Sequence, residues 1–311
     1  METVTLARNA MATRFELVLH GGNAGRLRAA GEEALAEVDR LEARLSLYRP
    51  SSEIAQVNAQ AARRPVRVSP PVFRLLQHAQ RLQRETGGMF DIAAAPLVRC
   101  WGFMDGGRRV PGADEIAQAR QRSGFGHILL DETDFTARFD REGVMIDLGA
   151  IGKGFAIDRA ADILREAGLT SALLHGGTST VYGLGHPPDA AGWKVAIIEA
   201  PDAPRLGAAV VLRDSALSVS AVWARSFEAA GRTYGHVIDP RTGHPVNHAI
   251  LAAVGLPSAT ETDAFSTALL VAGLEGRDAI ARLRPDMRAL VVGGAEQNFR
   301  AESSGITLPA D

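Results

Sequence analysis

Apolar residues alternate along some stretches of this chain and recur at helical spacing along others. TRFELVLH, residues 13–20, alternates as a strand does, and Gly21-Gly22 turns it into a helix over Ala24–Leu45. Leu27, Ala34, Val38, Leu41 and Leu45 share one face of that helix. Glu32, Glu33, Glu37, Asp39 and Arg40 form its solvated face. Leu45 to Asn58 reads as an exposed loop with a short apolar turn. Ser69-Pro70-Pro71 then predicts a helix start, with Ser as cap and Pro in the first turn, ending near Glu85 before Gly87. Trp101 and Phe103 read as core plugs, and a short helix is expected after Gly112, through Arg122. Strands are expected at His127–Leu130, Asp134–Phe139 and Val144–Leu148.

A helix follows, with Ala156, Ala160, Ile163, Leu164 and Ala167 at helical spacing and Gly168 as its stop. Two strands flank Gly176-Gly177, and two more are expected at Trp193–Glu199 and Ala208–Arg213. Strand Leu251–Leu256 leads to the helix TETDAFSTALLVAG, packed through Ala264, Ala268, Leu269, Val271 and Ala272. A helix near Arg277–Arg284, strand Ala289–Val292 and a strand near Phe299 close the sheet, and the tail after Ser303 reads as loose. This order gives an α+β chain rich in antiparallel pairing.

At 311 residues and 46% hydrophobic content, the chain can bury a large core as one domain or two intertwined halves. A net charge of −2 gives no basic field for nucleic acid or anionic lipid. The one cysteine, Cys100, excludes internal disulfides and fits a reducing compartment. No stretch reaches the roughly 18 apolar residues of a membrane span. The first residues, METVTLARNAMATRF, lack the charged and apolar regions of a signal peptide, and the expectation is a cytoplasmic protein with no membrane partner.

Three stretches carry candidate chemistry. In VMIDLGAIGKGFAID, Asp147 precedes Gly149, Gly152 and Gly154 at the entry to a helix, with Lys153 beside them. Such a junction offers backbone N–H groups and a positive dipole end to a phosphate, although a plain strand-to-helix turn gives the same pattern. In HVIDPRTGHP, the Asp239-Pro240 and Thr242-Gly243 turn holds His236 in place, as a structural hydrogen-bonding residue or as a proton-transfer group. In TETDAFST, Asp263 and Thr267 lie four apart on one helical face. They read either as a dipole-favoured acid with a Thr bonded to its own helix, or as hard oxygen ligands for Mg²⁺.

Together with MATRF at Met11, LSLYRPSSEIAQVN at Leu45 and GGMFDIAAAPLVRCWGF at Gly87, these stretches resemble the ApbE family, in the family's order. The resemblance implies a duplicated T-fold, β-β-α-α-β-β twice over, spanning residues 9–301 as two intertwined halves before a loose tail at 302–311. It implies a Mg²⁺-dependent FAD:protein FMN transferase that moves FMN from FAD to a Ser or Thr hydroxyl of an acceptor flavoprotein and releases AMP. An Mg²⁺-dependent FAD diphosphatase, or a flavin-binding protein without turnover, is the alternative.

On the family pattern, Met11, Tyr48, Met89, Phe90, Asp91, Asp147, Lys153 and Val237 would hold FAD. Asp263, Thr267 and the Ala150 carbonyl would hold Mg²⁺, and His236 would act at the reaction centre. Without the family, Met11 is equally a core methionine, Tyr48 a packing or surface ring, and Phe90 with Asp91 a core aromatic and a loop cap. Asn58 is expected to hold its loop. The chain departs from the family at Ala12, at Thr178, and at Ala221-Val222, where a Gly or Asp is usual.

Overall fold

The structure, a computed structural model, describes residues 1–197, 207–294 and 299–308. Strands β1 (Glu2–Ala10) and β2 (Thr13–Gly21) form a hairpin, followed by helix α1 (Ala24–Leu45). An insert then gives α2 (Glu53–Gln60), β3 (Val66–Arg67), α3 (Pro70–Glu85), α4 (Ala95–Cys100), α5 (Ala113–Arg120), β4 (Ile128–Asp131) and β5 (Thr136–Phe139). Helix α6 (Gly152–Glu166) returns the chain to β6 (Ser171–Gly176) and β7 (Thr180–Gly185). The hairpin β8 (Trp193–Ala196) and β9 (Ala209–Leu212) comes next, then β10 (Ser215–Ala221). A second insert carries β11 (Ser226–Ala229) and β12 (Arg232–Gly235). The chain closes with β13 (Ala249–Leu256), α7 (Ala259–Ala281), β14 (Arg288–Gly293) and β15 (Arg300–Ser304).

The central sheet has the order β1-β2-β6-β7-β10-β13-β14-β15, and every neighbouring pair is antiparallel. Its first four strands bracket α1 and α6 in sequence, β-β-α-α-β-β. Its last four bracket α7, which breaks at Gly273 with φ 65°. The α+β class and antiparallel sheet expected from the sequence are therefore observed.

The pleat decides which side chains go where. On β13 and β14, Ala252, Val254, Ala289 and Val291 face the helices. The alternate residues Leu251, Ala253, Leu290 and Val292 pack instead with Trp193, Val210 and Leu212 of the β8–β9 hairpin. The strands β13 and β14 are thus covered on both faces, which is why they carry so few polar residues.

Several expectations need correction. Val144–Leu148 forms no strand. Its backbone is bracketed by the Asn58 side chain, which accepts from the Ile146 N–H at 2.7 Å and donates to the Ile146 carbonyl at 2.9 Å. A buried apolar run gave the strand pattern without a ladder to join. Ser69 sits at the start of α3, yet its hydroxyl makes no cap bond. The carboxylate of Glu53 accepts the Ser69 N–H at 2.6 Å instead.

The stretch after Leu45 contains a full helix, α2, capped by Ser52 through the Ala55 N–H at 3.0 Å. The chain beyond Ser303 stays tied down through Ser304 in β15 and the buried Ile306. The strand expected at Trp193–Glu199 is described as far as Ala196, and its end at Glu199 lies outside the described residues, as do 309–311.

Candidate functional site

Two of the three chemistry-bearing stretches meet where the N-terminal turns of α6 and α7 lie against each other, and the third brings His236 near enough for the Lys153 charge to act on it. Gly154 is what lets the helices approach. A Cβ there would stand 2.1 Å from the Ala259 carbonyl oxygen and 2.9 Å from the Asp263 Cβ. The glycine serves helix packing as well as any approach to a ligand.

Asp263 is only 4% exposed. Its Oδ2 accepts the Gly154 N–H at 3.1 Å and lies 3.7 Å from Lys153 Nζ, which also donates to the Gly149 carbonyl at 2.9 Å. Its Oδ1 accepts no hydrogen bond from any described residue, and neither does the Ala150 carbonyl. One turn on, Thr267 Oγ1 lies 3.3 Å from the Asp263 carbonyl and 3.3 Å from Ser220 Oγ on β10. The Thr is bonded to its own helix, as the structural reading held, and it also faces the same side as Asp263. A carboxylate oxygen and a peptide carbonyl, neither accepting a hydrogen bond from a described residue, beside a hydroxyl make a hard-oxygen donor set that fits Mg²⁺. Among the described residues no cluster of three His, Cys, Asp or Glu competes for a metal.

The α6 entry is less open to anions than the glycine loop suggested. The Gly152 N–H goes to the Leu148 carbonyl at 2.7 Å, and the Gly154 N–H goes to Asp263. Most of the orphan donors expected at a helix start are therefore already used inside the protein. Asp147 also turns inward, accepting the Gly149 N–H at 2.9 Å. Burial pushes its carboxyl above the usual range, against that bond and the charges of Lys153 and Arg225.

His236 follows directly on β12. Its N–H and its Nδ1 both address the Arg225 carbonyl, at 3.0 and 3.2 Å. A carbonyl can only accept, so Nδ1 carries the proton and Nε2 holds a free lone pair. Burial lowers its pKa to about 4, with the Arg225 and Lys153 charges acting the same way against the Arg225 hydrogen bond. His236 is therefore a neutral imidazole at pH 7.

The departure at Ala221-Val222 does not disturb this placement. Val222–Ala224 forms a single 3₁₀ turn that delivers the Arg225 carbonyl, and Gly235 lets β12 pass it, since a Cβ there would meet the Val222 oxygen at 2.9 Å. Thr178 is exposed in the turn between β6 and β7.

The remaining predicted residues fall into two groups. Tyr48 is 66% exposed, a free aromatic face whose hydroxyl is pushed up by burial and then by the Asp147 charge. Met11, Met89 and Val237 are half-buried against the main core. Met11 and Ala12 form the two-residue β1–β2 turn with φ 50° and 58°, a left-handed pair that glycine or asparagine would adopt at less cost.

Phe90 and Asp91 take the structural roles that the residues alone suggested. The Phe90 ring is 1% exposed. The Asp91 carboxylate accepts the Ala93 N–H at 2.8 Å and the Phe125 N–H at 2.9 Å, with burial raising its pKa. The Phe90 ring has no free face, while Asp91 is half-buried with its carboxylate turned to these two backbone donors.

Sequence reasoning missed Asp158 altogether. One turn along α6 from Gly154, it receives four hydrogen bonds from the start of α7. The acidic residue in a helical stretch carried no signal of its own, because the partner that needs it lies a hundred residues away in sequence.

A sequence profile of the ApbE family matches residues 11–291. Proteins named FAD:protein FMN transferase are similar over most of their length. The one from Klebsiella pneumoniae (strain 342) is 31% identical over 84% of this chain and 83% of its own. The one from Treponema pallidum (strain Nichols) is 33% identical over 86% of this chain and 78% of its own. The ApbE protein of Thermotoga maritima superposes with a TM-score of 0.88 at 25% identity, covering 97% of each chain. The flavin transferase ApbE of Vibrio cholerae gives 0.84 at 26% identity, again over 97% of each. The chain belongs to the ApbE family, and it is a transferase.

Proposed function

We propose that this protein is a Mg²⁺-dependent FAD:protein FMN transferase whose acceptor is a Ser or Thr hydroxyl of a flavoprotein. The observation that carries the reading is a neutral, tautomer-fixed His236 within reach of the Lys153 charge, together with Asp263 and Ala150 oxygens that accept no hydrogen bond from a described residue. It is supported by the similarity to proteins of that name.

In the proposed reaction Nε2 of His236 takes the proton of the acceptor hydroxyl as its oxygen bonds to the FMN phosphorus. The bond from that phosphorus to the bridging oxygen breaks, and AMP leaves with that oxygen. The Nδ1–H bond to the Arg225 carbonyl holds the ring with Nε2 available, and it stabilises the imidazolium that forms. Lys153 places a full positive charge beside Asp263, where a diphosphate would be held, and Tyr48 offers its exposed face to the isoalloxazine ring. Asp263, Thr267 and the Ala150 carbonyl would hold Mg²⁺, which supplies charge stabilisation to the phosphate oxygens when bound.

Incubation with FAD, Mg²⁺ and a candidate acceptor tests the proposal. AMP together with protein-linked flavin is the expected result. AMP with free FMN alone would make the protein a diphosphatase, and FAD binding without AMP a flavin-binding module.

A further inference from the structure

Two carboxylates cross between the facing helices in opposite directions. Asp263 of α7 reaches back to accept the Gly154 N–H in the first turn of α6. Asp158 of α6 reaches forward and accepts the Ala259 N–H at 2.8 Å and the Thr260 N–H at 2.9 Å, both in the first turn of α7. Its Oδ2 also takes the Ser258 hydroxyl at 2.8 Å and the Thr260 hydroxyl at 2.6 Å. Each helix start is thus satisfied partly by an acid of the other.

Capping alone does not account for Asp158. Helix α7 already has its own N-cap, since Ser258 Oγ accepts the Glu261 N–H at 3.3 Å. What Asp158 adds is a fixed distance and rotation between the helices, one turn from Gly154 on α6 and one turn from Asp263 on α7. With Gly154 pressed against the Ala259 carbonyl, that register decides which Asp263 oxygen is spent on the Gly154 N–H and which stays free.

We propose that Asp158 is a positioning residue of the flavin-transfer site, locking α7 against α6 so that Asp263 keeps one oxygen and its neighbour Lys153 in register for Mg²⁺ and the diphosphate. The inference rests on the metal reading given above. Residues that orient a metal ligand from behind typically set affinity or activity by 10–100-fold.

The test compares Asp158→Asn with Asn23→Ala, a variant that removes the N-cap of α1, where Asn23 accepts the Arg26 N–H at 2.9 Å. Asn keeps the shape of Asp158 and removes its charge. Asn23 precedes α1, which has no part in the metal or flavin set. For each protein, Mg²⁺ affinity is read in the presence of FAD by calorimetry and by the Mg²⁺-dependent rise in melting temperature, alongside AMP release.

Asp158→Asn should lose roughly tenfold or more in Mg²⁺ affinity. Asn23→Ala should lower the melting temperature with Mg²⁺ affinity unchanged. Thr260→Val removes a single hydroxyl bond to Asp158 and should weaken Mg²⁺ in the same direction, by less; it carries the test should Asp158→Asn fail to fold. Wild-type Mg²⁺ affinity in Asp158→Asn, or in Thr260→Val where that variant stands in, reduces Asp158 to a structural cap and leaves the flavin reading intact. No Mg²⁺ response in the wild-type protein overturns both.

Discussion

Lys153 Nζ lies 3.7 Å from Asp263 Oδ2, too long for a tight ion pair, and donates instead to the Gly149 carbonyl at 2.9 Å. The ammonium partly neutralises the buried acid without closing its coordination sphere. Removing the charge from Asp263 therefore differs from removing it from Lys153. Asp263→Asn should abolish Mg²⁺-dependent AMP release in a folded protein, because it deletes the one charged ligand of the proposed set. Lys153→Met should leave the acid without a counter-charge, lowering the melting temperature in chelator and widening the rise that Mg²⁺ produces. Melting curves with and without Mg²⁺, beside an AMP assay, check both. Equal Mg²⁺ responses in Lys153→Met and wild type would mean that the two groups do not share a charge balance.

Gly154 gives a steric prediction at the same contact. In Gly154→Ala the new methyl would stand 2.1 Å from the Ala259 carbonyl oxygen, which is helix backbone and cannot rotate away. The helices must part, and overpacking of this kind costs about 1–3 kcal/mol. Denaturant unfolding should show that loss, and Mg²⁺ affinity should fall with it, because Asp263 moves with α7. Gly152→Ala is the matched control. Its Cβ would meet only the Leu148 Cβ, at 3.7 Å, and it should fold and bind as the wild type does.

The contrast between those two glycines shows what the sequence could carry. Helix α1 is legible to its last residue, since its apolar face and the Gly21-Gly22 turn before it are local signals, and α6 is legible for the same reason. The two helices expected from Thr260 and near Arg277–Arg284 form instead one element, α7, that breaks at Gly273 and ends at Ala281. Val144–Leu148 misled because burial, not pairing, made it apolar, and the Asn58 amide that brackets Ile146 is 88 residues away. The clasp through Asp158 and the filling of the α6 N–H groups by Asp263 are likewise contacts between distant residues. No local pattern announces them. The resemblance to a family supplied the chemistry of His236 and Asp263, whose residue types alone fit structural roles equally well.

Glu261 ties the start of α7 to α3 and to the helix end. Arg284 donates to it at 2.8 Å through both Nε and Nη2, and His78 Nε2 lies at 3.2 Å. Burial pushes its pKa up, but the Arg284 and His78 bonds outweigh that and hold it at about 2. A depressed acid contributes stability that is complete above its unfolded pKa of 4.5 and is lost as pH falls towards 2. Glu261→Gln should cost about 1–3 kcal/mol at pH 7, where Arg284 keeps only Glu85, at 2.8 Å, as a charged partner. It should also flatten the loss of stability between about pH 4.5 and 2. Urea titrations across that range check it, and an unchanged acid limb would remove Glu261 from the account.

His236 gives the clearest pH signature. Burial lowers its pKa from 6.5 to about 4, so the imidazole is neutral across the whole range above that value. A general base works in its neutral form, so activity should hold from neutral pH down past 6 and fall only with an apparent pKa near 4. An ordinary exposed histidine would lose it near 6.5. The stability sign runs the same way. Between 4 and 6.5 the unfolded chain binds a proton that the folded chain does not, so stability rises with pH through that window and is fully present above it. His236→Gln keeps a side-chain donor for the Arg225 carbonyl and loses the base. It should retain FAD and Mg²⁺ binding and slow AMP release by roughly 10²–10⁴-fold, with the acid limb gone. Rate profiles and melting curves from pH 4 to 8 test both halves. An acid limb centred near 6.5 in the wild type would place another group at the reaction centre, and a His236→Gln protein that transfers flavin at full rate would return this histidine to a structural role.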